Sequence, residues 1–282
     1  MAAITTERAP APVAAPARRR RSVPVWRWAI LLIAGVYFLL PLYAALRFAG
    51  IKAFGTVFSQ AGFGSAIWLS ARLAAMTWII TLVLMVPTTV YVHLRLPGLR
   101  RFMEGITILP IVIPPVVLII GVLQVSPGPL KSTPWLLGLE YVVLAMPFAY
   151  RSIDAGLRAL DLKTLTEASS NLGASWLTTL WRVILPNMRT ALLSATVLII
   201  ALVLGEYTMA SLDLYVTFPV WIVQFDQLNA QMSEAASLLA LFVTWLLLMA
   251  ITMIATAQNR RKGGGEVTLF SAATTTKTIG ES

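Results

Sequence analysis

The chain has no cysteine, a single histidine and few charges, and each shortage closes a class of function. Without cysteine there are no disulfides and no thiolate metal sites. With His93 as its one histidine, the chain cannot build a histidine metal cluster. No Gly-Lys-Ser/Thr phosphate-binding loop occurs. The triple glycine at 263–265 follows basic residues, has no strand before it, and reads as linker. Energy from nucleotide hydrolysis, if used, must therefore come from another chain. No cofactor-binding signature is present. A membrane enzyme would need a catalytic set, and one histidine, no cysteine and no paired intramembrane carboxylates leave little to build it from. An ion-coupled carrier would favour internal repeats and several intramembrane ionisable groups. Repeats are absent, and Glu206 stands nearly alone.

What the chain has in excess is apolar sequence, 58% of it against 12% charged residues. A helix spanning a hydrocarbon core of about 30 Å needs roughly 20 apolar residues. Six such runs are found, near 25–46, 66–94, 106–125, 135–150, 191–212 and 235–257. The fourth is short; the second is long enough to begin with a half-polar approach around Ser70-Ala71-Arg72. Continuous runs, rather than alternation, select helices over a barrel. The expected fold is an all-α integral membrane protein with six transmembrane helices, a membrane domain over 25–257. The basic Ala/Pro-rich segment 1–24 and the tail 258–282 lack apolar periodicity and read as disordered.

A net charge of +10 invites a nucleic-acid reading, but its distribution favours a bilayer. With a cytoplasmic N-terminus, the outside segments hold Arg47, Lys52 and Lys131, and Arg72 falls in a span. The remaining 18 of 22 Lys/Arg then face inside. That asymmetry is the positive-inside rule and puts both termini in the cytoplasm. Arg18-Arg19-Arg20-Arg21 reads as a topology anchor beside anionic lipid, not as a nucleic-acid arm. His93, beside Arg95 at the end of the second run, reads as an interfacial histidine with no special task.

Pro110, Pro114 and Pro115 crowd the third run. Each removes a backbone donor and clashes with the preceding turn, so this span should break or bend. The bend either aids packing or lies beside a substrate route, which makes Pro114 and Pro115 candidate pore residues. Glu206, in Gly205-Glu206-Tyr207, sits about fifteen residues into the fifth run, or ~22 Å along a helix. A carboxylate at that depth is a functional candidate, with Tyr207 beside it. It could equally pair with a residue such as Arg72. The outer loop 213–234 carries Asp213, Asp226 and Glu234 with no Lys/Arg, which would suit a cationic ligand or a basic docking surface.

The most specific pattern is the polar loop between the fourth and fifth runs. Residues 157–171 have an amphipathic helical look, with Leu157, Leu160, Leu162 and Leu165 apolar and Arg158, Asp161, Lys163 and Glu167 wet. Gly173 can end that helix in a left-handed conformation, and Ser175 can cap a second one carrying Trp176, Leu177, Leu180 and Trp181. Pro186 closes the unit. Glu167-Ala168-Ser169, three residues including Leu172, Gly173, nine residues, Val183, one residue, then Leu185-Pro186 closely resembles the Glu-Ala-Ala loop of bacterial ABC importer permeases. The spacing agrees throughout; Ser169 stands for alanine and Val183 for isoleucine.

This resemblance, over about residues 65–257, implies a multi-pass subunit of the bacterial cytoplasmic membrane. It implies a loop, about 158–190, that docks on a cytoplasmic ABC ATPase dimer through Glu167, Ala168, Ser169, Leu172, Gly173, Leu185 and Pro186. It also implies a second permease subunit, alike or identical, and an extracytoplasmic solute-binding protein. Gly205-Glu206-Tyr207 and Thr217-Phe218-Pro219-Val220 look most like the group for polyamines, related small organic solutes and some anions or iron; they resemble the sugar permeases less, and a sugar-type or inorganic-ion permease is the alternative.

Overall fold

The computed structural model describes residues 25–131 and 133–263, and every regular element among them is helical. The main elements are α1 Val25–Val57, α2 Phe63–Arg95, α3 Arg100–Val112, α4 Pro115–Val125, α5 Pro134–Arg158, α6 Leu162–Asn171, α7 Trp176–Thr179, α8 Arg189–Gly205, α9 Thr208–Leu212, α10 Phe218–Asp226 and α11 Ala230–Gly263, with short turns of helix between some of them. Five helices are long and apolar enough to cross a membrane, and the bent pair Pro97–Val112 and Pro115–Val125 makes six when taken as one span. The basic segment 1–24 and residues 264–282 lie outside the described residues, while 258–263, expected in the tail, continue α11.

Two compact units divide the chain after Ala44. The described part of the first is the helical stretch 25–44, whose large side chains, Trp28, Leu32, Tyr37 and Phe38 among them, are exposed. The second unit is built on α2, α5 and α8, which pack mutually. Small residues let these backbones approach. A Cβ on Gly138 of α5 would strike the end of Met76 on α2, and one on Gly156 would strike Cβ of Ala191 on α8. One buried cluster, with Leu73, Leu137, Tyr141 and Val203, fills one end of this triplet. Another, with Val90, Tyr150, Ile153 and Ile199, fills the end that carries the polar loop.

The third span breaks where its prolines demand. Ile113 is extended (φ −78°, ψ 123°), as expected of a residue before proline, and Pro115 opens α4. The halves meet at 98°. Pro110 is accommodated inside α3, so Pro114 and Pro115 alone mark the break.

Four expectations change. The fourth span is not short: α5 runs on past Tyr150 to Arg158, with Asp154 and Arg158 paired on its last turns. The amphipathic helix does not start at residue 157, since Leu157 ends α5 and a new helix begins at Leu162. The second span begins at Phe63, and Ser70 is buried within it, accepting a hydrogen bond from the Phe218 amide at 2.8 Å. The outer loop holds a helix, α10. Its Trp221 donates from Nε1 to the Ala61 carbonyl at 3.0 Å and sits among Phe63, Phe218 and Phe225.

Candidate functional site

The loop between α5 and α8 forms a bent ledge. Asp161 caps α6, its carboxylate accepting from the Thr164 amide at 3.2 Å and the Thr164 hydroxyl at 2.7 Å. Those bonds, the side-chain one foremost, hold the Asp161 carboxyl below its usual range. The cap is therefore in place above the ordinary aspartate range and is lost as pH falls through the lowered value.

At its other end α6 stops at Gly173, whose φ of 76° lies in the left-handed region. The Ala174 amide donates to the Ser169 carbonyl at 3.0 Å and the Gly173 amide to that of Ser170 at 2.9 Å. This nested pair is the glycine-terminated helix stop known as a Schellman motif. Ser175 then caps α7, accepting from the Thr178 amide at 3.3 Å.

The motif residues divide into two sets. Glu167, Ala168, Leu172 and Gly173 are exposed, Leu172 to 88%. Ser169 faces the other way. It is buried, donates to the Thr166 carbonyl at 3.0 Å and meets the Thr179 hydroxyl at 2.8 Å across the bend. Leu185 packs partly buried against the inner cluster, in which Leu162, Leu180 and Ile184 root both arms. Pro186 lies just past a wide turn, Leu180–Ile184, where the Leu185 amide reaches five residues back to the Leu180 carbonyl. That widening makes room for a ring that would crowd the preceding turn. Beside the ledge lies a groove of about 590 Å³, lined by His93, Arg95, Lys163, Glu167, Ser170 and Trp176 among others.

His93 departs from expectation. Nε2 of its buried ring lies 2.9 Å from Asp154 Oδ1, and Nδ1 lies 2.9 Å from the Thr89 carbonyl oxygen. Asp154, only 7% exposed, also meets Arg158 Nε at 2.7 Å and an Arg100 guanidinium nitrogen at 3.5 Å. Arg158 reaches on to Glu104 at 4.0 Å.

At the far end of the triplet, Glu206 is engaged inside the chain. Oε2 accepts from the Tyr141 hydroxyl at 3.0 Å and from the Ala210 amide at 3.3 Å, and Oε1 from the Met209 amide at 2.9 Å. It thus caps α9 and ties it to α5; Arg72 is not its partner. Tyr207 is exposed beside it. Nor does Glu206 stand alone. Glu140, 3% exposed and with neither carboxyl oxygen hydrogen-bonded within the described chain, lies within electrostatic range of Glu206 and Asp213. A single carboxylate inside an apolar run was the available signal. The described residues hold no cluster of His, Asp and Glu suited to a metal ion.

The structure joins a set of membrane-length helices to an exposed, bent ledge between the fourth and fifth of them. The family model described as "Binding-protein-dependent transport system inner membrane component" matches residues 86–264, and the chain belongs to that family. It is a permease of ABC importers, a multi-pass transport subunit rather than an enzyme. Membership implies an ATPase and a binding protein as partners. Among solved structures, the chain is similar to one described as inward-facing conformations of the MetNI methionine ABC transporter in a CY5 native crystal form. The TM-score is 0.58 with 19% identity, over 68% of this chain and 94% of that one. At that identity the likeness speaks to the fold. No curated protein sequence matches the chain.

Proposed function

We propose that this chain forms half of the translocation pore of an ATP-driven importer for a small solute, with α6, the Gly173 bend and α7 as the ledge that docks in a cytoplasmic ATPase. The observation that carries this reading is the division of the motif. Glu167, Ala168 and Leu172 present an exposed face, while Ser169, Leu162 and Ile184 fasten the same element from behind. A surface made to receive force needs both. A second permease, alike or identical, completes the pore, and the ledge and both termini face the cytoplasm. The polyamine reading of the cargo rests on the resemblance around Gly205-Glu206-Tyr207. The internal engagement of both Glu206 oxygens counts against Glu206 as the cation-binding group.

Replacement of Gly173 tests the docking role. A Cβ there meets nothing within 4 Å, so the cost is conformational, about 1–2 kcal/mol for a left-handed residue. Gly173→Val should leave the chain in the membrane but reduce ATPase co-purification several-fold, and Gly173→Asn should be milder. Equal recovery of the ATPase with all three proteins would sink the reading.

A further inference from the structure

The largest group of charges in the described structure is not on the ledge but directly behind it. Asp154 gathers His93 from the end of α2, Arg100 from the start of α3, and Arg158 from its own helix one turn on. Arg158 extends the group to Glu104 of α3, and the Tyr150 hydroxyl of α5 donates to the Arg100 carbonyl at 3.4 Å. Three helix ends are thereby tied to one buried carboxylate.

Its position in the chain matters as much as its chemistry. Asp154 lies on the last turns of α5, and only residues 159–161 separate that helix from α6. Leu157 of α5 and Leu162 of α6 are buried in one cluster with Leu180 and Ile184. A displacement of the ledge must therefore move the end of α5. On the other side of Asp154 is α3, the lower half of the broken span. Its side chains Phe102, Ile106, Leu109 and Val112 are exposed, so its hold on α5 is narrow: Met103 packs on the inner cluster, beside the Tyr150–Arg100 hydrogen bond and the two charged residues. Apolar contacts slide at little cost. A partly buried ion pair adds little stability but resists a change of register, because separation leaves a charge unpaired in a poor solvent.

We infer that Asp154 is a positioning residue for coupled transport: with Arg100, Arg158 and Glu104, it passes movement of the ATPase-docked ledge to α3 and so to the bend at Pro114. This rests on the docking reading above. The chain has no cysteine, so spin labels can be set on introduced Phe102→Cys and Val125→Cys, exposed positions on the two halves of the broken span. Double electron–electron resonance on the full complex with its ATPase, before and after vanadate trapping of nucleotide, then reads the bend.

The distance distribution should shift on trapping in the parent. The shift should vanish in Asp154→Asn and return in Asp154→Glu, with ATPase co-purification unchanged throughout. Arg100→Gln, which leaves Asp154 to His93 and Arg158, should also lose the shift and decides the matter if Asp154→Asn fails to fold. A parental shift in the folded variants overturns the inference, as does a parent complex that traps nucleotide without any shift. Failure of the parent to bind the ATPase at all is recorded separately by co-purification and overturns the docking reading along with this one.

Discussion

Ser169 lies on α6 and Gly173 four residues further, just past its end, and the two do different work. Gly173 supplies a backbone angle; Ser169 supplies a fastening. With the Ser169 proton given to the Thr166 carbonyl, Thr179 is the donor across the bend. Both residues are buried, so Ser169→Ala would strand the Thr179 hydroxyl at a cost of about 1–3 kcal/mol. Thr179→Val alone should cost less, since Ser169 keeps its bond to Thr166. The double variant should recover much of the loss, because replacing both partners by apolar groups is nearly neutral. Thermal unfolding of the purified chain in detergent gives this cycle, and strict additivity would deny the bond. The residue-level motif was legible because its spacing is local. The pairing of Ser169 with Thr179 was not, since it depends on how two arms fold onto each other. His93 shows the same limit: Arg95 is two residues away in sequence, but its partner in space is Asp154, sixty-one residues on and in a different helix.

At the level of elements, α5 is held by close approaches on two sides, and they differ in give. The atom facing Gly138 is the flexible end of Met76, whereas Gly156 faces the Cβ of Ala191, which is fixed to the backbone. Gly156→Ala should therefore destabilise the bundle by about 1–3 kcal/mol, as overpacking does, and Gly138→Ala by distinctly less. Comparing their melting temperatures checks the order, and the reverse order would mean that α5 and α8 are not in contact as described. The break in the third span was readable for a local reason, three prolines within six residues. The true length of α5 was not. Arg151, Asp154 and Arg158 look like the end of a span until their tertiary partners are known. The α10 helix was hidden for the opposite reason, its apolar residues having been spent on packing under α2 and α11 rather than on a crossing.

For the whole molecule, the distribution of Lys/Arg sets an expected orientation, which labelling of loop residues can test. A cysteine at Leu172, on the ledge, and one at Leu214, in the segment after α9, are both well exposed and lie at opposite ends of α8. In intact cells a membrane-impermeant maleimide should label Leu214→Cys and leave Leu172→Cys untouched until the membrane is opened. The opposite pattern would invert the topology and remove the ledge from any cytoplasmic partner. The expected orientation rests on charge alone, because the bilayer acts on loops independently of how the helices pack. The interior was less legible: an averaged run of apolar residues conceals Glu140 as easily as it reveals a span.

The wide turn at Leu180–Ile184 has one more consequence. Closing over five residues instead of four, it holds one residue more than an α-helical turn would, and one residue is about 100° of rotation. The nine residues between Gly173 and Val183 are thus a measure of azimuth as much as of length. A one-residue deletion there would leave every motif side chain present and swing the face bearing Leu172 about a quarter of the way around.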